Sequence, residues 1–172
     1  EGDRHFALNA YSSAMFYVIT YVLTTLASFG IILLLAREGF ESEEIADLAG
    51  LNQRSPLYAG VMAICLFSLA GVPPLVGFYA KLSVLQALVV TGSALYIGVA
   101  VVAVVLSLIG AYYYLRVIKT MWFDAPTGRH ALHAPLDVRA LLSLNGLAVL
   151  VLGVLPGGLM AWCTQAIVRT LA

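Results

Sequence analysis

The chain has 172 residues, of which 62% are apolar and only 10% are charged, and its formal net charge is zero. A soluble domain carries about 25% charged and about 45–50% apolar residues, so this composition argues against a water-facing surface and favours a membrane protein. The zero net charge provides no basic field, so nucleic acid is not an expected partner. Because the chain begins at Glu1 without a methionine, we expect an upstream part of a longer protein.

The first predicted helix covers about residues 9–36, and residues 15–36 within it are apolar and uncharged. About 20 such residues are enough for a helix to cross a bilayer. Thr20, Tyr21 and Thr24 recur at helical spacing in this span. Two interpretations are open: a face turned towards protein or water, or threonines that bond back to the carbonyls of their own helix.

A polar segment, residues 37–55, separates this span from the next. Within it, residues 41–50 are predicted to form a short interfacial helix with Leu48 and Ala49 on its apolar side. Gly50 fits as the end of that helix, because glycine readily takes the left-handed conformation found at helix C-termini.

Residues 56–91 predict a span that is interrupted within the membrane. The segment is longer than one upright helix needs and too short for two helices joined in water. Pro73 and Pro74 lie near its middle, where the second proline disfavours helical backbone at the first and each removes a backbone donor. Gly71 and Gly77 flank the prolines. The two expected half-helices are residues 56–71 and 77–90.

Two further spans complete the chain, as predicted helices over residues 93–120 and 138–156. Aromatic residues before Arg116 are typical of a helix end at the lipid headgroups. We expect residues 159–172 to lie on the surface, with Trp162 as an interfacial anchor.

The predicted fold is therefore a single all-α unit over residues 1–172. It is a polytopic transmembrane bundle of about four spanning helices, one of them broken at Pro73–Pro74. Most Lys and Arg residues fall in the two polar connections, 37–55 and 116–139. The positive-inside rule places those connections in the cytoplasm and both chain ends outside.

Lys81 is the only charged residue between positions 56 and 91. A lysine near the bilayer centre costs about 2.5–3.5 kcal/mol on insertion scales. Burial favours the neutral amine and a negative partner favours the ammonium, so a lysine between these influences can load and release a proton. The alternative is a lysine that reaches the headgroups, but Gly92 is about ten residues away, or about 15 Å of helix. We therefore predict that Lys81 transfers protons.

The remaining candidates give weaker signals. Cys65 and Cys163 form no CxxC pair and read as small apolar residues, so no disulfide, iron–sulfur or zinc site is expected. His130 and His133 form an HxxH without a nearby third ligand, which favours an incidental pair over a metal site. Three polar residues within spans either line a water path or bond to a neighbouring helix: Gln86, Ser107 and Asn145.

The string SLAGVPPLVGFYAK at residues 68–81 closely resembles the second broken helix of the antiporter-like subunits of respiratory complex I. The flanking strings GLNQRSP (50–56) and YYYLRVIK (112–119) are similar to one particular member of that group. The resemblance implies two inverted repeats, each with one broken helix, of which this chain would supply the last helices. One departure is Ala80, where a glycine often precedes the lysine.

The resemblance implies a multi-pass subunit of proton-translocating NADH:quinone oxidoreductase in the bacterial inner membrane. Lys81 matches the family's broken-helix lysine, which would take a proton from an inner lysine and release it outward. No cofactor is expected in this chain, because NADH, FMN, iron–sulfur clusters and quinone are bound by other subunits. The implied partners are the lipid bilayer, the neighbouring antiporter-like subunit M and the small subunits K and J.

Several alternatives stay open on sequence grounds. Subunits M and L share the broken helix, although the short tail after Pro156 argues against L. A subunit of a multisubunit cation/proton antiporter or of a membrane-bound hydrogenase would have the same fold. A scaffold with an inert buried lysine is a third class. Ion dependence of transport and co-purification with hydrophilic redox subunits would separate these classes.

Overall fold

The computed structural model describes residues 2–37, 44–126 and 132–171, and all regular elements in those ranges are helical. The elements in chain order are α1 (Gly2–Arg37), a 3₁₀ helix (Ile45–Leu48), α2 (Leu51–Arg54), α3 (Pro56–Ala70), α4 (Val76–Val89), α5 (Ala94–Phe123), α6 (Leu136–Val154) and α7 (Pro156–Leu171). The predicted all-α fold is confirmed.

Three helical stretches are long and apolar enough to cross a membrane, namely Phe6–Ala36, Ala94–Phe123 and Leu136–Val154. The predicted broken span corresponds to two shorter apolar helices, α3 and α4. Helix α3 ends at Ala70 and α4 begins at Val76, so the predicted break around Pro73–Pro74 is confirmed.

The connections gather at one end of the bundle, where α1 and α5 end and α3 and α6 begin; we call it the loop end. There the Gly50 amide donates to the Thr120 carbonyl at 3.2 Å, and the Leu132 amide donates to Ser55 Oγ at 2.7 Å. The opposite end, where α4 ends and α5 begins, is the far end. Along α1 and α5 the residue number therefore rises towards the loop end.

The segment predicted as a short interfacial helix is a 3₁₀ helix followed by α2. Leu48 and Ala49 are buried, as their apolar pattern predicts. Gly50 has a φ of +63° and packs against Pro126, so its place can be taken only by a residue without a Cβ. Residues 41–43 of the predicted helix lie outside the described ranges.

The tail, predicted to lie on the surface, forms helix α7, which packs along α1. Pro156 stands at the first position of α7, where a missing N–H is harmless. Cys163 is 1% exposed and joins a buried cluster with Phe16 and Val149, while Trp162 is 73% exposed. Helix α6 ends at Val154, next to the predicted end of the fourth span at residue 156, and Pro156 begins the separate helix α7.

The same buried cluster includes Val76 and Ala80 of α4, so it fixes the second half-helix against α1 and α6. On α6, Gly153 lies against the backbone of the break, where a Cβ would meet the Pro74 carbonyl and Leu75 Cα. Close packing against Gly153 therefore fixes the backbone where α4 begins.

Candidate functional site at the helix break

The last turn of α3 closes on itself around a glycine. Gly71 has a φ of +86°, and its amide donates to the Ser68 carbonyl at 3.0 Å. The Val72 amide folds back to the Phe67 carbonyl, also at 3.0 Å. This Schellman arrangement satisfies two of the final carbonyls of the helix and leaves the next two for other donors.

Those next two carbonyls belong to Leu69 and Ala70. In a continuous helix each would accept from the amide four residues later, at positions 73 and 74. Both positions are proline, which has no N–H to donate. A buried carbonyl left without a donor costs about 1–3 kcal/mol, so the two prolines create a demand for donors at the break.

Lys81 supplies those donors. Its Nζ donates to the Leu69 carbonyl at 2.8 Å, to the Ala70 carbonyl at 3.3 Å and to Ser107 Oγ at 2.7 Å. An ammonium has three N–H donors, and the C-terminal end of a helix carries about half a negative charge. The structure therefore holds a lysine at this depth by helix-end carbonyls and a hydroxyl.

Helix α4 starts beside the last turn of α3, which brings Lys81 back to that turn. The Gly77 amide donates to Ser68 Oγ at 3.0 Å. A Cβ on Gly77 would overlap the Ser68 carbonyl, so only glycine allows this approach. The sequence pattern indicated Gly71 and Gly77 but not Ser68, whose hydroxyl links the two half-helices. Ser68 could have been noticed only because it is the first residue of the string 68–81.

Lys81 lines a cavity of about 450 Å³ between α1, α3, α4 and α5, which we call the lysine cavity. None of the described residues that line it is acidic. Thr20 and Thr24 line it, and their hydroxyls also donate to the carbonyls of Phe16 (2.9 Å) and Thr20 (2.6 Å). Both interpretations of these threonines thus describe part of the arrangement.

The three polar candidates within spans have different environments in the structure. Ser107 of α5 meets Lys81 directly, whereas Gln86 is exposed. The Asn145 side-chain oxygen is buried without a hydrogen-bond partner among the described residues. Sequence alone ranked these three equally, because it did not show which face of α5 meets the break.

The described cysteines and histidines form neither a disulfide nor a metal site. Cys65 and Cys163 are buried there as free thiols. His130 lies outside the described ranges, and His133 is exposed. Within those ranges no group of three or more His, Cys, Asp or Glu residues is placed to hold a metal ion.

Comparison with known proteins agrees with this geometry. A family model described as "NADH:quinone oxidoreductase/Mrp antiporter, TM" matches residues 5–109, which include α1, the break and Lys81. The chain belongs to this family. The resemblance found in the string 68–81 is therefore confirmed, and the family's transmembrane character agrees with the three span-length apolar helices.

Individual relatives sharpen the family assignment. A protein of Polaromonas naphthalenivorans named NADH-quinone oxidoreductase subunit N is 63% identical over 96% of this chain and 34% of its own length. A protein of the same name from Herminiimonas arsenicoxydans is 60% identical over 95% of this chain and 33% of its own. Subunit N is also the member that the two flanking strings indicated. The chain spans about a third of the length of these curated relatives.

A solved structure extends the likeness to three dimensions. Respiratory complex I from Thermus thermophilus with bound aureothin contains a chain that matches with a TM-score of 0.74 and 30% identity. The match covers 91% of this chain and 36% of that one. Membership of the antiporter-like family, together with the bacterial relatives named above, fits a location in the bacterial inner membrane.

Proposed function

We propose that this chain is the C-terminal part of subunit N of a bacterial proton-translocating NADH:quinone oxidoreductase, and that Lys81 carries protons through it. The observation that supports a proton-carrying role is the set of Lys81 partners, two carbonyls freed by the proline pair and the Ser107 hydroxyl. The names of the relatives support the subunit assignment.

This environment suits a group that changes its charge. The carbonyls at the end of α3 stabilise the ammonium without a full negative charge, so deprotonation does not leave a buried carboxylate unpaired. The apolar surroundings favour the neutral amine. Because these influences oppose each other, a modest change in the nearby electric field can load or unload the proton. That is the property that redox-driven pumping requires.

The proposed division of labour leaves no redox chemistry in this chain. Quinone reduction in a neighbouring arm would shift charges along buried lysines and glutamates until Lys81 is reached. NADH, FMN, iron–sulfur clusters and quinone would be bound by other subunits. Subunit M and the small subunits K and J are the proposed membrane neighbours.

A second candidate function follows from the family description, which also includes Mrp antiporters. In that case, or in a membrane-bound hydrogenase, the same fold would serve cation exchange or a different redox partner. The relatives named subunit N favour the first candidate. Sodium-dependent transport by the purified complex, without quinone reduction, would favour the antiporter.

The test replaces Lys81 in the full-length subunit of the assembled complex, reconstituted in proteoliposomes, with quinone reduction and proton uptake measured together. Lys81→Ala should lower the ratio of protons pumped to electrons transferred, because the titratable group is gone. Lys81→Arg keeps the charge but does not release its proton near neutral pH, so it should not restore the ratio.

Lys119→Ala is the matched control, since Lys119 is the other lysine and lies at the loop end, paired with Asp124. It should pump at the wild-type ratio. If Lys81→Ala also pumps at that ratio, the buried lysine is a structural residue. Lys81→Gln, which keeps a hydrogen-bond donor for the freed carbonyls, serves if the alanine variant fails to assemble.

A further inference from the structure

We propose that Ser107 is a positioning residue for Lys81, and that the serine hydroxyl completes the hydrogen bonding of the lysine nitrogen in both of its charge states. The inference rests on the proposed function of Lys81 and adds to it a side chain from another helix. Ser107 Oγ on α5 lies 2.7 Å from Lys81 Nζ on α4. Among the described residues it is the one side chain that bonds to this nitrogen, since the other two partners are backbone carbonyls.

The protonated lysine has three N–H donors and no acceptor. The three oxygen atoms around Nζ match these donors, namely the carbonyls of Leu69 and Ala70 and the hydroxyl of Ser107. In this state Ser107 accepts a hydrogen bond from a charged donor, and such bonds are about twice as strong as neutral ones. The serine therefore stabilises the ammonium together with the carbonyls at the end of α3.

The neutral amine has a different requirement, because it keeps two N–H donors and gains a lone pair. When a water molecule takes the proton, one N–H bond breaks, Lys81 loses its positive charge and the water molecule gains it. Rotation about the Cε–Nζ bond can then direct the two N–H groups to the two carbonyls and the lone pair to Ser107. A carbonyl cannot donate to that lone pair, whereas a hydroxyl can. Ser107 thus serves both charge states while the three oxygen atoms stay in place.

Other side-chain types would favour one charge state over the other. A carboxylate in place of the hydroxyl would bond to the ammonium, but it would become an unpaired buried charge when the proton leaves. A methyl group would leave one polar site of the nitrogen unsatisfied in either state. A hydroxyl avoids both costs, so it suits a lysine that must lose and regain its proton.

The remaining titratable groups near Lys81 do not take over this task in the described part of the chain. None of them is a hydrogen-bond partner of Nζ, and a phenol is uncharged near neutral pH. The charged residues near the start of α6, Asp137 and Arg139, do not line the lysine cavity. The titratable side chains that share its lining with Lys81 are Tyr17 and Tyr21 of α1 and Tyr114 of α5.

The first experiment measures the charge state of Lys81 in the intact complex. Acetic anhydride acylates the neutral amine and not the ammonium, so the labelling rate of Lys81 over a range of pH, read by mass spectrometry, reports the neutral fraction. The limiting rate at high pH corrects for differences in access. The full-length subunit carries Ser107→Ala, Ser107→Thr or Ser83→Ala. Ser83 is the matched control, because it lies on the same helix as Lys81 and its hydroxyl donates to the Ala80 carbonyl at 2.9 Å.

Ser107→Ala should move the midpoint of labelling to lower pH, because the ammonium loses a stronger hydrogen bond than the neutral amine does. Below the midpoint the labelling rate should rise by about fivefold, as expected from the difference between a charged and a neutral hydrogen bond. Ser107→Thr keeps the hydroxyl and should keep the wild-type midpoint, as should Ser83→Ala. Equal midpoints in Ser107→Ala and Ser83→Ala would overturn the proposal.

Two further outcomes are informative about the hydroxyl itself. If Ser107→Thr shifts the midpoint as far as Ser107→Ala does, packing rather than the hydroxyl sets the charge state, and the proposal is wrong. If the alanine variant does not assemble, Ser107→Cys replaces it, because a thiol has nearly the same shape but is a weak donor and acceptor. The midpoint should then move in the same direction, and an unchanged midpoint would contradict the proposal.

The second experiment measures the ratio of protons pumped to electrons transferred as a function of pH in proteoliposomes. Ser107→Ala should move the alkaline limb of this profile to lower pH, and it should add nothing in a Lys81→Gln background. A further loss in that background would show that Ser107 acts on another group. The two proposals can fail separately: labelling decides the role of Ser107 even if Lys81 carries no protons, and pumping by Lys81→Ala decides the role of Lys81.

Discussion

The described part of the chain contains two helix breaks built from proline and glycine, and they differ in what surrounds them. At the first break, between α3 and α4, Gly77 packs against the Ser68 carbonyl and Lys81 donates to the freed carbonyls. At the second, between α6 and α7, Gly157 and Gly158 have open space where a Cβ would stand. The Leu155 amide there still donates to the Val151 carbonyl at 2.8 Å, so the chain simply begins a new helix.

The difference shows that proline and glycine alone do not determine how a helix break is packed. The first break adjoins a buried cluster that includes Val76 and Ala80 of α4, and its freed carbonyls accept from Lys81. The second lies where its glycines meet no neighbouring side chain. The two breaks therefore differ in the packing of their glycines and in the lysine that bonds to the freed carbonyls of the first.

The largest difference between the breaks should appear on adding a methyl group. Gly77→Ala places a Cβ on the Ser68 carbonyl, which is backbone and cannot rotate away, so α4 must shift. Overpacking of this kind costs about 1–3 kcal/mol. We expect a lower thermal midpoint of the detergent-solubilised complex and impaired pumping.

Gly158→Ala is the matched change at the second break. It meets open space, and alanine favours helix by about 0.8–1 kcal/mol over glycine, so the midpoint should stay constant or rise slightly. Equal effects of the two substitutions would show that the close packing at Gly77 does not hold the first break together.

A smaller difference between the two breaks should follow when a proline is replaced by alanine, which restores a backbone N–H. Pro73→Ala supplies an amide that can compete with Lys81 for the Leu69 carbonyl, its partner at 2.8 Å. We expect assembly to be retained and the pumping ratio to fall, but by less than in Lys81→Ala. Pro156→Ala adds an amide at the first position of α7, where none is required, and should change nothing measurable. A wild-type ratio in the Pro73 variant would mean that the competition does not occur.

The smallest effect belongs to the other lysine, Lys119, which donates to Asp124 at 2.9 Å at the loop end. The hydrogen bond from Lys119 holds the pKa of the Asp124 carboxyl below its usual range. A lowered folded-state pKa gives stability that is present above the unfolded pKa of about 3.9 and is lost as the pH falls through the folded value.

Lys119→Gln should therefore lower the thermal midpoint slightly at pH 7, with the difference from wild type vanishing in acid. Because this pair is exposed to water, its effect should be far below that of the buried Gly77 change. A difference that grows as the pH falls would contradict the assigned sign. The comparison separates an ion pair in solvent from an ammonium held by helix-end carbonyls.

Sequence alone determined the features that depend on local chemistry. Long apolar runs predict spanning helices because of the cost of burying polar groups in lipid, and Pro73 and Pro74 predict the break because proline lacks an N–H. The single charge in residues 56–91 drew attention to Lys81 for the same energetic reason. The sequence also shows that the Leu69 and Ala70 carbonyls lack their usual helical donors, since each lies four residues before a proline.

Only the tertiary structure decided which groups meet. Ser107 lies 26 residues after Lys81 in the chain and becomes its partner because α5 packs against the break. In the sequence Ser107 is one polar residue within an apolar span, as are Gln86 and Asn145. The packing of α7 on α1 was equally invisible in the sequence. A helix that is apolar on all sides gives no sign of which face meets its neighbour, so packing alone fixes those contacts.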